Sequence, residues 1–402
     1  MQAYLDNAAT TRPQEEVVAL MNEVLLNDYG NPSSMHTKGL EAEKYINEAR
    51  KIIADSLKVT PKEIIFTSGG SESNNTALIG IANANKRAGK HIITTVFEHA
   101  SVYNPMMFLE ENGFEVTYIG VDAMGHVRLD ELKDAIRPDT ILVSVMMVNN
   151  EVGALEDIGE ISTVIKETNP KTLFHVDAIQ AYGKYKIYPK KLGIDAMSVS
   201  GHKFHGPKGS GFLYVADKVK IKPLIYGGGQ EKGMRSGTEN VPAIAGLGRA
   251  VSMYYTNHQD KLEHLYELKA YFISRVLKLN EDGKSSVTVN AVDIHEGCEY
   301  DDILKAVGYT APHIVSVSFK NVRSEVLLHA LEEKGVYVSS GSACSSNHPA
   351  ISGTLKAIGV DNSLLDSTLR FSFSMYTTKE ELDYAVDMLM ELVPIYSKYI
   401  RH

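Results

Sequence analysis

Lys203 stands in SGHKFHGPKGSG (Ser200 to Gly211), and Asp177 closes an apolar run, TLFHVDA, 26 positions upstream. Each follows a strand-like run, TLFHV and then DAMSVS, and the segment between them is long enough for a crossover. In an open parallel sheet ligands gather at the carboxyl ends of strands, so both side chains can reach one ligand. A lysine and a carboxylate placed in this way suit one chemistry in particular. The amine forms a Schiff base with pyridoxal phosphate, and the carboxylate keeps the pyridine nitrogen protonated, which makes the ring an electron sink. Taken singly, the two residues read as a surface lysine and a turn aspartate. Their neighbours decide between the readings.

Directly after the run EIIFT comes SGGSESNNTALIGIA, in which Ser68 to Ser73 form the turn into a helix. Glycines let the backbone approach an anion, and a helix amino terminus offers unpaired N–H groups and the positive end of its dipole, so a phosphate fits at this turn. A serine-rich helix cap has a similar sequence, and only the company of Lys203 and Asp177 favours the phosphate. Ser200 and His202 flank the lysine and can add donors. FEHAS (Phe97 to Ser101) places His99 after the strand-like HIITT. An imidazole there can lie over a pyridine ring and move protons on and off substrate carbons, although alone it reads as a hydrogen-bonded loop histidine. VNNEVG (Val148 to Gly153) also ends a strand, so Asn150 can bond the cofactor's ring oxygen or a substrate carboxylate, and Gln180 can meet the same oxygen.

The elements that must position these residues alternate along the chain. EIIFT (63–67), HIITT (91–95), EVTYIG (115–120), TILVSVMMV (140–148), TLFHV (172–176), DAMSVS (195–200) and GFLYV (211–215) read as strands, with helical patterns such as LDELKDAI and DIGEISTVIKET between most of them. That order predicts an α/β unit with a mainly parallel, buried sheet. After the Gly/Pro-containing stretch 222–242 a long helical pattern leads into a second, smaller α+β unit. Its strands are expected near 314–319, 336–339 and 369–373, and a closing helix is expected from about Lys379. The division is a large domain over 16–252 and a small one over 253–402, with residues 1–15 packed on the latter. At 402 residues, two domains are the default. The net charge of −9, with a pI of about 5.9, argues against bulk binding to nucleic acid or an anionic membrane. No basic-then-apolar leader opens the chain, and no run approaches the ~18 apolar residues of a membrane span. With only Cys298 and Cys344 a disulfide framework is excluded, and a cytoplasmic setting is expected.

Ten motifs occur in order: DNAATT (6–11), GNPSSMH (30–36), FTSGGSESNN, EHAS, VNNEVG, HVDAIQ, SGHKFHGPKG, RSGTEN (235–240), SSGSAC (339–344) and LRFSF (369–373). Together they resemble the cysteine desulfurases, class V enzymes dependent on pyridoxal 5'-phosphate that supply sulfur for iron–sulfur clusters and thiolated tRNA. The resemblance runs nearly end to end. It implies fold type I of the pyridoxal-phosphate transferases, with a seven-stranded large-domain sheet. It places the Schiff base on Lys203, the ring-nitrogen partner on Asp177 and ring stacking on His99. Phosphate ligands fall on Gly70, Ser71, Ser200 and His202, and, from the other subunit of a homodimer, on Thr238. Asn150 and Gln180 take the remaining cofactor contacts, Arg370 the substrate carboxylate of L-cysteine, and no metal is called for. A sulfur-acceptor protein, either a cluster scaffold or a tRNA-thiolating enzyme, is the implied partner.

Cys344 separates the chemistries open to such a family. Nine successive residues, Ser339 to Asn347, lack a large apolar side chain, so little pins them to a core. A free cysteine is more often a small buried hydrophobe. A sulfur acceptor, in contrast, must reach the cofactor and then a partner, and this setting suits that task. Cys298, in HEGCEYDD, sits among acidic residues and matches no motif. A selenocysteine lyase or aminotransferase of class V would share all but the need for Cys344, whereas a non-catalytic scaffold would have no need of Lys203 and Asp177. Two departures fall where partners dock in the family. NHPAISGTLKAIG replaces a short acidic and apolar stretch after the cysteine, and Ser374 and Met375 replace a glycine and an arginine, so the identity of the acceptor does not carry over.

Overall fold

The computed structural model describes residues 1–281, 286–295, 297–340 and 351–398. Cys344 lies outside the described residues. After a two-residue strand, β1 (Ala3–Tyr4), the β-branched runs form a central sheet from β2 (Ile64–Thr67), β3 (His91–Thr95), β4 (Glu115–Ile119), β5 (Thr140–Met146), β6 (Leu173–Asp177), β7 (Ala196–Ser200) and β8 (Gly211–Val215). The spatial order is β2-β8-β7-β6-β5-β3-β4. All neighbours pair in parallel except β8, which runs antiparallel to both β2 and β7. The sheet therefore matches the expected mainly parallel, seven-stranded α/β architecture, with boundaries shifted by two residues at most. Nearly all of its strand residues are buried because helices cover both faces. The helix Gly70–Asn85, for example, lays Ala77, Leu78, Ile81 and Ala82 onto Ile65, Ile92, Leu142 and Leu213. Each such aliphatic side chain contributes about 1.5–3 kcal/mol on burial, so the helix and its amino-terminal turn are held firmly against the sheet.

Because β2 is antiparallel to β8, which is itself antiparallel to β7, β2 points the same way as β7, β6, β5 and β3. The carboxyl ends of these five strands share one edge. That edge receives the turns bearing Gly70, His99, Asn150, Asp177 and Lys203.

A second sheet combines β9 (Val287–Asn290), β10 (Ile314–Phe319), β12 (Ser339–Ser340) and β13 (Thr368–Ser372) in the order β12-β13-β10-β9, all antiparallel. Separately, β11 (Val336–Tyr337) pairs in parallel with β1. The expected single strand at 336–339 is thus two short strands in different sheets, separated by Val338. Strand β9 had no counterpart in the sequence reading. A separate core underlies this part, with Phe272 4.8 Å from Phe371, ring centroid to centroid. Ala3 and Leu5 join that core, which ties the amino terminus to it. The helical pattern entering this region is broken at Asn257 (φ +50°), between the helices Val241–Tyr255 and His258–Val276. The closing helix spans Lys379–Tyr396, and its amino terminus carries a capping box of Thr378 and Glu381.

Candidate active site

The shared edge bounds a cavity of about 280 Å³ lined by Gly70, Ser71, His99, Asn150, Asp177, Gln180, Ser200, His202, Lys203 and Arg370. Ten of the sequence-predicted residues therefore meet in one place. Thr238 does not. It lies in a separate cleft beside Ser68 and Arg235.

Asp177 is 4% exposed, and its carboxylate takes two neutral donors, Asn74 Nδ2 at 2.8 Å and the Ile179 backbone N–H at 2.9 Å. Burial pushes its pKa up, while the two donors and the nearby His99 and Lys203 pull it down. A carboxylate so enclosed is suited to a cationic ring nitrogen. Asn74 also donates to Ser101 Oγ (2.9 Å), which lies 2.8 Å from His99 Nδ1. That nitrogen in turn accepts the Ser101 backbone N–H at 3.0 Å, as the cap of the helix Ala100–Glu111. An Nδ1 that accepts a backbone N–H carries no proton of its own, so the neutral ring holds its proton at Nε2. Burial lowers the His99 pKa, with Asp177 opposing and Lys203 reinforcing the shift, and this favours the neutral ring.

Lys203 Nζ donates to the backbone carbonyls of Ala8 (2.7 Å) and Ala9 (2.8 Å). Those carbonyls belong to the segment Asp6–Thr11, which closes the site. Thr11 N–H and Oγ1 both reach His202 O at 2.9 Å, Thr10 Oγ1 lies 3.2 Å from His202 Nδ1, and Gln180 Nε2 donates to Ala8 O at 2.9 Å. Gln180 Oε1 is 3.1 Å from Nε2 of His313, a buried histidine. His202 has its pKa lowered to about 4, chiefly by burial and then by Lys203, so it is neutral at pH 7 and can serve an anion only as a hydrogen-bond donor.

At the phosphate end, Gly69 adopts φ +149° just before the helix Gly70–Asn85, and a Cβ on Gly70 would come within 2.2 Å of Ile179 Cδ1. Glycine suits the positive φ at Gly69, and the lack of a side chain at Gly70 leaves room for Ile179. The turn presents the helix amino terminus to the cavity beside Ser200. Arg370, on β13, donates from Nη1 to Asn150 O (2.7 Å) and from Nη2 to Asp6 Oδ1 (2.9 Å), while its buried Nε has no partner among the described residues. Arg370 lines the cavity, and a guanidinium there is a fitting partner for a substrate carboxylate. The residues present thus fit pyridoxal phosphate: an amine, a buried carboxylate and a helix amino terminus face one space.

Sequence reasoning missed Asn74, His313 and the closing role of Asp6–Thr11. Asn74 sits one turn into a helix with no local cue. The other contacts span more than 100 positions of sequence and leave no periodic signal.

A model of the class V aminotransferase family matches residues 3–385. Cysteine desulfurase IscS of Dictyoglomus turgidum is 43% identical over 392 residues, covering 98% of this chain and 94% of that protein. Its counterpart in Methanosarcina thermophila is 42% identical over 390 residues, 97% of this chain and 91% of that one. Among solved structures, a NifS-like protein superposes with a TM-score of 0.88 at 37% identity, covering 98% of this chain and all of that one. A second, SspA in complex with cysteine, gives a TM-score of 0.77 at 34% identity over 94% of this chain and all of that one. With a family model spanning most of its length and relatives this similar from end to end, the chain belongs to the class V aminotransferases, among relatives that are cysteine desulfurases.

Proposed function

We propose that this protein is a cysteine desulfurase, which converts L-cysteine to L-alanine and passes the sulfur to Cys344 as a persulfide. The observation that carries the reading is the meeting of Lys203, Asp177, His99 and Arg370 in one cavity, in a chain whose relatives bear that name. A related structure holds cysteine. Pyridoxal phosphate, when bound, supplies an electron-withdrawing ring that stabilises charge developing at the substrate α-carbon. Lys203 would hold it covalently, Asp177 would pair with its ring nitrogen, His99 would pack on its ring, and Gly70, Ser71, Ser200 and His202 would take its phosphate. Asn150 and Gln180 orient it.

The chain's own groups then divide the work. Arg370 binds the substrate carboxylate. Lys203 Nζ, freed once the substrate amine takes its place, would remove the α-proton, and His99 Nε2 would return a proton to carbon. Cys344 Sγ, as the thiolate, forms an S–S bond to the substrate sulfur as the substrate C–S bond breaks; the bonding pair stays with carbon, which is protonated to give alanine. The test is to mix the holoenzyme, with an added thiol to reduce the persulfide, with L-cysteine, with L-selenocysteine, and with amino-acid and keto-acid pairs. Alanine and sulfide from L-cysteine are expected. Activity confined to selenocysteine, or amino-group exchange alone, would favour a lyase or an aminotransferase.

The same reading divides the chain into a large domain (16–252) and a small one (1–15 with 253–402), and places the protein in the cytoplasm as a homodimer. Among the described residues no helix is long and apolar enough to cross a membrane. Thr238 lies outside its own chain's cavity, and it completes the phosphate cup of the other subunit. Sedimentation velocity should show a dimer across the working concentration range, and a fully active monomer would contradict shared sites. The sulfur passes onward to an acceptor protein that serves cluster assembly, tRNA thiolation or both.

A further inference from the structure

The turn after β5 does more than present Asn150. Asn149 fixes it from within: its side-chain oxygen accepts the Glu151 N–H (2.9 Å) and the Val152 N–H (3.0 Å), and its Nδ2 donates to Phe97 O at 3.1 Å. Glu151 is thereby held in one place, its carboxyl largely buried and close to Arg370. The groups that meet this carboxyl come from the far end of the chain. Ser352 Oγ donates to Glu151 Oε2 and accepts the Leu355 N–H at 3.1 Å, and Thr354 Oγ1 lies 3.3 Å from Oε1. Ser352 is the amino-terminal cap of the helix Gly353–Ala357, so Glu151 fixes the point at which that helix starts.

The other side of the same stretch is anchored at the same place. In β12, Ser339 pairs with Arg370 of β13, and Arg370 reaches back to Asn150 O. Ser339 thus pairs with the residue that bears this guanidinium, and Glu151, which holds Ser352, feels the same charge; Cys344 lies between Ser339 and Ser352 in sequence, eight positions before Ser352. Burial raises the pKa of Glu151, while the Ser352 hydroxyl, Arg370 and the Thr354 hydroxyl oppose the rise, so the carboxyl is held by hydroxyl donors in a largely dry setting.

We propose that Glu151 is a positioning residue for sulfur transfer: through Ser352 and Thr354 it fixes the residues that follow Cys344 in sequence, relative to the Asn150–Arg370 substrate site. This rests on Cys344 being the sulfur acceptor. It predicts a split in the reaction. Replacing Glu151 leaves substrate binding in place, because Arg370, Asn150 O and Lys203 remain, but it slows the arrival of sulfur on Cys344. Misplacing a reacting group by about 1 Å costs roughly 10- to 100-fold in rate.

The experiment mixes holoenzyme with L-cysteine in single turnover and follows two signals, the spectral change on substrate binding and the persulfide on the Cys344 peptide by mass spectrometry. In Glu151→Ala the persulfide should form about 10-fold or more slowly, with the substrate dependence of the spectral change altered less than about twofold. Glu151→Gln, which keeps an acceptor for the Ser352 hydroxyl, should recover most of the rate. Amide hydrogen exchange at Leu355, measured without substrate, should quicken in Glu151→Ala and not in Glu151→Gln. Wild-type persulfide formation in Glu151→Ala, or a loss confined to substrate binding, would overturn the proposal alone. Normal turnover of L-cysteine by Cys344→Ala would overturn the sulfur-acceptor reading and this proposal with it.

Discussion

Lys203→Ala is expected to lose the visible absorption band of the bound cofactor and to lower turnover by roughly 10⁴-fold or more, as removal of a covalent catalytic group does. The geometry explains why no neighbour should rescue it. Lys184 is the nearby buried lysine, but its Nζ donates to the Lys203 backbone carbonyl at 2.6 Å, and it does not line the cavity. Burial also lowers its pKa to about 7, with Lys203 reinforcing the shift. Its hydrogen bond orients the backbone that carries Lys203. A borohydride-reducible cofactor adduct that persists in Lys203→Ala would show that another amine holds the cofactor.

The part of this site that was legible in the sequence is the part built on strand ends. Lys203, Asp177, His99 and Asn150 each follow a short run of β-branched residues, and the rule that parallel strands gather ligands at their carboxyl ends brings them together without any knowledge of distant contacts. Gly70 was legible for a related reason, since a glycine-containing turn from a strand into a helix lets the backbone approach an anion. What could not be read is the closure of the site. The segment Asp6–Thr11 meets His202, Lys203 and Arg370 through backbone carbonyls, hydroxyls and one carboxylate, from residues some 190 to 365 positions away. Nothing in its own composition announces those partners. Likewise β8 reads as one more buried strand, because full burial erases the alternation that would mark it as antiparallel. The split of 336–340 between two sheets depends on β1, whose two residues are too few to show any period.

The second large effect concerns Cys344. In Cys344→Ala the cofactor band and the spectral response to L-cysteine should persist, since Lys203, Asp177, His99 and Arg370 are unchanged. Alanine formation from L-cysteine should nevertheless fall by about 10³-fold or more, the loss expected when the nucleophile of a concerted site is removed. Turnover of selenocysteine can survive, because selenium leaves carbon more readily without a thiol acceptor. Cys298 offers no substitute. It packs at the edge of the second core, with its Sγ 2.6 Å from His295 Nδ1, and it does not line the cavity.

The most direct measurement is therefore the location of the sulfur. Wild-type holoenzyme is mixed with a single equivalent of L-cysteine and quenched, alanine is quantified, and the peptides that carry each cysteine are weighed. One added sulfur on the Cys344 peptide, in step with the alanine formed, is the predicted result. Alanine formed at the normal rate with sulfur on the Cys298 peptide only, or on neither, would contradict the account.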